Sequence, residues 1–224
     1  MLFRSHEKAA QIADEMGLLL WEEIPVYWAI EFENPDSYQD AENQLQELIR
    51  RDRNRASVII WGVGNENADT DQRLSFMGRL AKCAHKLDPS RLVSAACLIN
   101  REKFAIEDRL ADFLDVIGIN EYFGWYEADM SLLERLLANS RPGKPVVISE
   151  SGGDALAGYR GSVEELFTED KQAAIHQHRV QADEIHRVRA VAVQRDHRGQ
   201  QALGTRVCER MCEWHGRSIE GAGS

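Results

Sequence analysis

Short apolar runs alternate with amphipathic segments along the chain. LLLWEE (Leu18 to Glu23), SVIIWGVG (Ser57 to Gly64), RLVSAACLI (Arg91 to Ile99), DVIGINEY (Asp115 to Tyr122) and PVVISE (Pro145 to Glu150) have the length and apolar density of buried strands. LFRSH, from Leu2 to His6, reads as a sixth and shorter one. Between these runs the period changes to that of helices. Ala9, Ile12, Ala13 and Met16 share one face, stopped by Gly17. Ala41, Leu45, Leu48 and Ile49 share another, after a start signal at Asp36-Ser37. Leu74, Met77, Leu80, Ala81, Ala84 and Leu87 mark a third face, closed by Asp88-Pro89, and Leu132, Leu133, Leu136 and Leu137 a fourth.

Strand and helix in regular alternation predict a parallel sheet built from βα units. A doubly wound sheet and a (β/α)8 barrel both fit that alternation. The polar residues favour the barrel, because Glu22 and Glu23, Asn65 and Glu66, Asn120 and Tyr122, and Glu150 all close separate strand runs. In a barrel those carboxyl ends converge on one face. GVGNEN lacks the third glycine of a dinucleotide loop, which argues against a nucleotide cofactor.

Composition narrows the partners. The net charge of −10 disfavours nucleic acid and anionic membrane. No run approaches the roughly 20 apolar residues of a membrane span. MLFRSHEKAA turns charged too soon for a leader peptide, and a cytoplasmic setting is expected. Four cysteines are too few for a disulfide framework at 224 residues. Cys83 and Cys97 read as buried thiols. Cys208, Cys212 and His215 are spaced for one helix face but lack a fourth ligand, so no metal site and no cofactor is expected.

Two glutamates at the ends of different strands suggest glycoside cleavage, which needs one carboxyl group to protonate the leaving oxygen and another to attack or to activate water. The motifs then point to a family. FRSH (Phe3 to His6), ADEMGLLLWEEIP (Ala13 to Pro25), SVIIWGVGNEN (Ser57 to Asn67), DVIGINEYFGWY (Asp115 to Tyr126) and PVVISESGGDALAG (Pro145 to Gly158) resemble the catalytic barrel of family-two glycoside hydrolases, and within it the β-glucuronidases. The resemblance implies a TIM-type barrel represented by its strands two to seven. It implies Glu66 as general acid/base, Glu150 as nucleophile, Asn65 as the amide holding the sugar 2-hydroxyl, and Asn120 and Tyr122 as lining of the sugar site. The implied partner is a carbohydrate, a β-glucuronide or related glycoside. Trp21, Glu22 and Glu23 are candidates for the pocket wall, and Trp125 and Tyr126 for stacking on a sugar.

The resemblance covers Leu2 to Arg179 and sets an expected boundary: a partial barrel over 1–179 and a divergent tail over 180–224. Ser151 stands where the family has an aromatic residue after the nucleophile. The family's strand-eight motif and its Asn-x-Lys element for the substrate carboxylate are not found after Arg179, where VRAVAV (Val188 to Val193) is the one apolar run. That tail is expected to be helical or irregular, the composition change suggesting a frameshift or fusion. Two readings follow, a retaining β-glycosidase of reduced activity and an inactive barrel that at most binds sugar. Oligomeric state is left open.

Overall fold

Six apolar runs of the sequence become the six strands of one parallel sheet. They are β1 (Leu2–Phe3), β2 (Leu20–Glu23), β3 (Val58–Asn67), β4 (Leu92–Cys97), β5 (Val116–Asn120) and β6 (Val146–Glu150). The computed structural model describes residues 6–186, with the backbone of β1 and of two further short strands, β7 (Val193–Arg195) and β8 (Gln201–Leu203). Neighbours in the sheet follow chain order from β1 to β6, and every pair is parallel. Successive βα units of one hand produce that order.

Helices fill the connections. α1 (Glu7–Met16) ends at Gly17, whose φ of 68° is the left-handed cap its position calls for. α2 (Pro35–Asp52) starts a little before the expected Asp36-Ser37, because Asn34 caps it by accepting from the Asp36 amide at 2.9 Å and Pro35 occupies the first turn. α3 (Asp71–Leu87) is capped by Thr70, and α4 (Leu132–Asn139) precedes β6. The sequence pattern did not indicate α5 (Glu169–His186), which has few apolar positions to reveal its period.

The apolar side chains divide between two clusters. The larger joins strand residues such as Trp61, Val93, Ile117 and Ile148 to the inner faces of the helices. The smaller consists of Trp21, Ile60, Leu92, Val116 and Val147, one from each of β2 to β6, and contains no helical residue. Alternate strand positions therefore supply the two clusters, and the helices cover one face only. A doubly wound sheet needs helices on both faces. This is part of a (β/α)8 barrel, with the smaller cluster as its interior.

Cys97 is buried as expected, and burial pushes its thiol up. Cys83 is only half-buried on α3, contrary to expectation, because it lies towards the flank of the helix, near Glu42 of α2. β7 pairs antiparallel with β8 and does not extend the parallel sheet. Of VRAVAV, only Val193 is described. Cys208, Cys212 and His215 lie outside the described residues. Among the described residues no helix is long and apolar enough to cross a membrane.

Candidate active site

Because β1 to β6 run in one direction, the polar residues that close them gather at one end of the sheet. The two strand ends that carry most of them are irregular. Pairing of β3 with β4 slips twice between Gly62 and Asn67, and within that stretch Glu66 takes φ 53°. Pairing of β5 with β6 slips between Ile119 and Asn120, which brings Asn120 into register with Glu150. Such slips turn side chains away from simple alternation. A non-glycine residue with positive φ is uncommon, and such residues cluster at functional sites.

Asn120 is the junction. Its side-chain N–H donates to Asn65 Oδ1 at 2.9 Å and to Glu66 Oε1 at 3.2 Å. Its Oδ1 accepts from the Ser149 hydroxyl at 2.7 Å, so Asn120 is fixed from both ends. The Tyr122 hydroxyl donates to Glu150 Oε2 in a short contact. The Glu121 amide donates to the Glu150 carbonyl at 3.0 Å, tying the end of β5 to the end of β6. The five residues singled out in the sequence thus form two hydrogen-bonded groups, Asn65, Glu66 and Asn120 in one and Tyr122 and Glu150 in the other, brought side by side where the backbones of β5 and β6 are tied. Glu150 is buried, while Glu66, Asn120 and Tyr122 are half-buried.

The other candidates divide. Trp21 and Glu23 face the barrel interior, where the Trp21 indole donates to Glu23 Oε2 at 3.2 Å. Glu22 points to the other side of β2 and pairs with Arg51 of α2 at 3.6 Å, so it is not part of the pocket wall. Tyr126 is exposed and meets the Tyr122 ring edge-on at 5.4 Å. Trp125 packs on Phe167 at 5.1 Å, which makes it part of the packing around that loop.

Comparison with known proteins agrees with the fold. Residues 5–199 match the family described as glycosyl hydrolases family 2, TIM barrel domain. The chain belongs to that family. A β-glucuronidase from Paenibacillus borealis is 30% identical over 188 residues, covering 74% of this chain and 30% of that protein. Among solved structures, a β-glucuronidase from an uncultured Clostridium sp. aligns with a TM-score of 0.72 at 26% identity, covering 89% of this chain and 37% of that one. A family-two β-galacturonidase from Eisenbergiella tayi, bound to galacturonate, aligns with a TM-score of 0.66 at 29% identity, over 77% of this chain and 32% of that one. The chain thus spans about a third of the length of the relatives it matches.

One further side chain joins these residues and a second is buried behind them, neither singled out by the sequence pattern. Trp28, five residues past the predicted strand LLLWEE, donates its indole N–H to Glu66 Oε2 at 3.0 Å. Glu121 is 5% exposed, and burial pushes its carboxyl up to about 7, with Glu127 and Glu66 adding to the rise and Arg101 and Arg179 opposing it. A Glu beside a motif asparagine carries no sign in sequence that it will be buried. Trp28 had one available signal, an aromatic pair, Tyr27-Trp28, in a loop directly after a strand end.

Proposed function

We propose that this chain is a retaining β-glycosidase of the β-glucuronidase type. The observation that carries the reading is the junction at Asn120, which contacts the Glu66 carboxylate and stands in register with Glu150. Two carboxyl groups held on one barrel end are what two-step glycoside cleavage requires. Glu150 attacks the anomeric carbon, forming a glycosyl-enzyme ester, while Glu66 gives its proton to the departing oxygen. Water, deprotonated by Glu66, then breaks the ester and releases the sugar with its configuration retained. Tyr122 fixes the rotation of the Glu150 carboxylate through Oε2. Asn65 and Asn120 present amide groups to the sugar hydroxyls, Asn65 to that at C2.

The relatives support a uronide as substrate, since their names specify a glucuronidase and a galacturonidase. Those two sugars share the carboxylate at C5 and differ in configuration at C4. A sugar-binding barrel without turnover is the second reading. It draws on the six-stranded sheet, in which β1 and β6 are edges among the described residues. A pocket open to water weakens the electrostatic stabilisation of the transition state. Turnover of a chromogenic β-glucuronide, lost on Glu150→Ala, decides between them. Binding of glucuronate with no turnover by the unaltered chain would establish the second reading and sink the first.

A further inference from the structure

Glu66 is held from two sides, and only one of them belongs to the motifs of the sequence. Asn120 approaches Oε1, and the Trp28 indole approaches Oε2. Trp28 reaches it across 38 residues because the segment after β2 is laid along the end of β3. Val26 O accepts from the Asn65 amide at 2.8 Å, the Trp28 amide donates to Asn65 O at 3.0 Å, and the Asn67 side chain donates to Trp28 O at 2.9 Å. Trp28 sits at φ 55° and Glu66 at φ 53°, so both partners of the indole contact occupy the left-handed region. Two such residues facing one another mark a built contact, since each conformation persists only where its surroundings enforce it.

We propose that Trp28 is the positioning residue for Glu66 and borders the space taken by the leaving group; the proposal rests on the glycosidase reading above. An indole N–H can only donate. Oε2 is therefore an acceptor in this contact, as Oε1 is towards the Asn120 amide. A carboxylic O–H can give its proton while the same oxygen still accepts, so both contacts persist when Glu66 is protonated. Trp28 thus fixes the rotation of the Glu66 carboxyl group from the side opposite Asn120. The acid's proton goes to the leaving oxygen, so the residue anchoring the acid lies on the leaving-group side. There Trp28 is 64% exposed, with Tyr27 edge-on at 5.5 Å. An exposed indole face suits stacking against a flat aromatic aglycone.

The test uses the full chain and two variants. Trp28→Phe keeps a smaller aromatic face and removes the N–H, whereas Trp28→Leu removes both. General-acid help matters most for poor leaving groups. Trp28→Phe is therefore expected to lower kcat/KM for an alkyl β-glucuronide by about tenfold more than for a nitrophenyl β-glucuronide. Trp28→Leu should in addition raise KM for the aryl substrate. Equal losses for both leaving groups would overturn the proposal. A second readout needs no turnover. The Trp28 indole N–H resonance of ¹⁵N-labelled chain, assigned by its loss in Trp28→Phe, should move on Glu66→Gln while those of Trp21 and Trp61 stay. An unmoved resonance overturns the contact. Absence of turnover in the unaltered chain defeats the glycosidase reading, and the resonance then decides the Trp28–Glu66 contact by itself.

Discussion

The phenol of Tyr122 donates to Oε2 of Glu150, joining the residue two past the end of β5 to the last residue of β6. A nucleophilic carboxylate must present one oxygen to the anomeric carbon, and a donor on the other oxygen sets its rotation. Tyr122→Phe removes that donor and leaves the ring, with its edge-on contact to Tyr126, in place. A hydrogen bond to a charged acceptor contributes about 1.5–3 kcal/mol. The expected result is a fall in kcat for a chromogenic β-glucuronide of about ten- to a hundredfold, with Tm nearly unchanged. Thermal unfolding measured beside the kinetics separates this from a folding defect. A fall below threefold would remove Tyr122 from the site.

Arg73 of α3 and Asp108 form a buried bidentate pair, at 2.6 and 2.9 Å, just after the end of β3. Asp108 also accepts from the Leu110 amide at 2.7 Å, so one carboxylate ties α3 to the segment preceding β5. Removing one member of a buried ion pair strands the other and costs about 3–5 kcal/mol. Arg73→Met is therefore expected to lower Tm by about 10 °C. The double variant Arg73→Met, Asp108→Leu should recover much of that loss, because it leaves no stranded charge. Denaturant unfolding of the two single variants and the double gives the coupling directly.

The strands were legible because each is a nearly continuous apolar run, the pattern of a strand buried on both faces. The carboxylates were legible for the same reason, since Glu66 and Glu150 interrupt those runs at their carboxyl ends. α5 was not, because Ile175 is its one buried apolar residue among those described, and a single position shows no period. Trp28 and Glu121 escaped for a different cause. The Trp28–Glu66 contact depends on two positive φ values in separate segments, and no spacing rule encodes that. Burial of Glu121 comes from neighbours on α4 and α5, Leu133 and Ile175 among them, and so exists only once the helices are packed. Glu22 was misplaced through strand alternation, which sends it to Arg51 and its neighbours to the barrel interior.

Gly118 is a point where the barrel interior is tight. A Cβ there would come within 2.6 Å of Trp21 Cη2 and 2.9 Å of the Ala95 carbonyl, a ring on one side and backbone on the other. Neither can retreat far, because Trp21 is also tethered to Glu23. Overpacking of this kind costs about 1–3 kcal/mol. Gly118→Ala is expected to lower Tm by several degrees. Its neighbour two positions along is Asn120, so displacement of β5 should also weaken glucuronate binding by isothermal titration. Retention of both Tm and binding would show that Trp21 can be accommodated elsewhere in the interior.

Glu121 gives the fold a pH dependence whose sign follows from its surroundings. Burial lifts its carboxyl from the ordinary 4.5 to about 7. Between those values the unfolded chain has released a proton that the folded protein still holds. Stability therefore falls as pH rises from about 4.5 to about 7 and levels off above. The span corresponds to about 3 kcal/mol. Glu121→Gln stays neutral throughout and keeps a comparable shape. At pH 5 and below the variant and the unaltered chain should unfold at similar temperatures. At pH 8 the variant should be the more stable, because the unaltered chain then carries a buried charge whose nearest ion-pair partner, the exposed Arg101, stands 3.9 Å away. Urea unfolding at a series of pH values checks both ends. Parallel pH profiles for the two proteins would mean that Glu121 is already ionised in the folded state below pH 5, contrary to the burial described here.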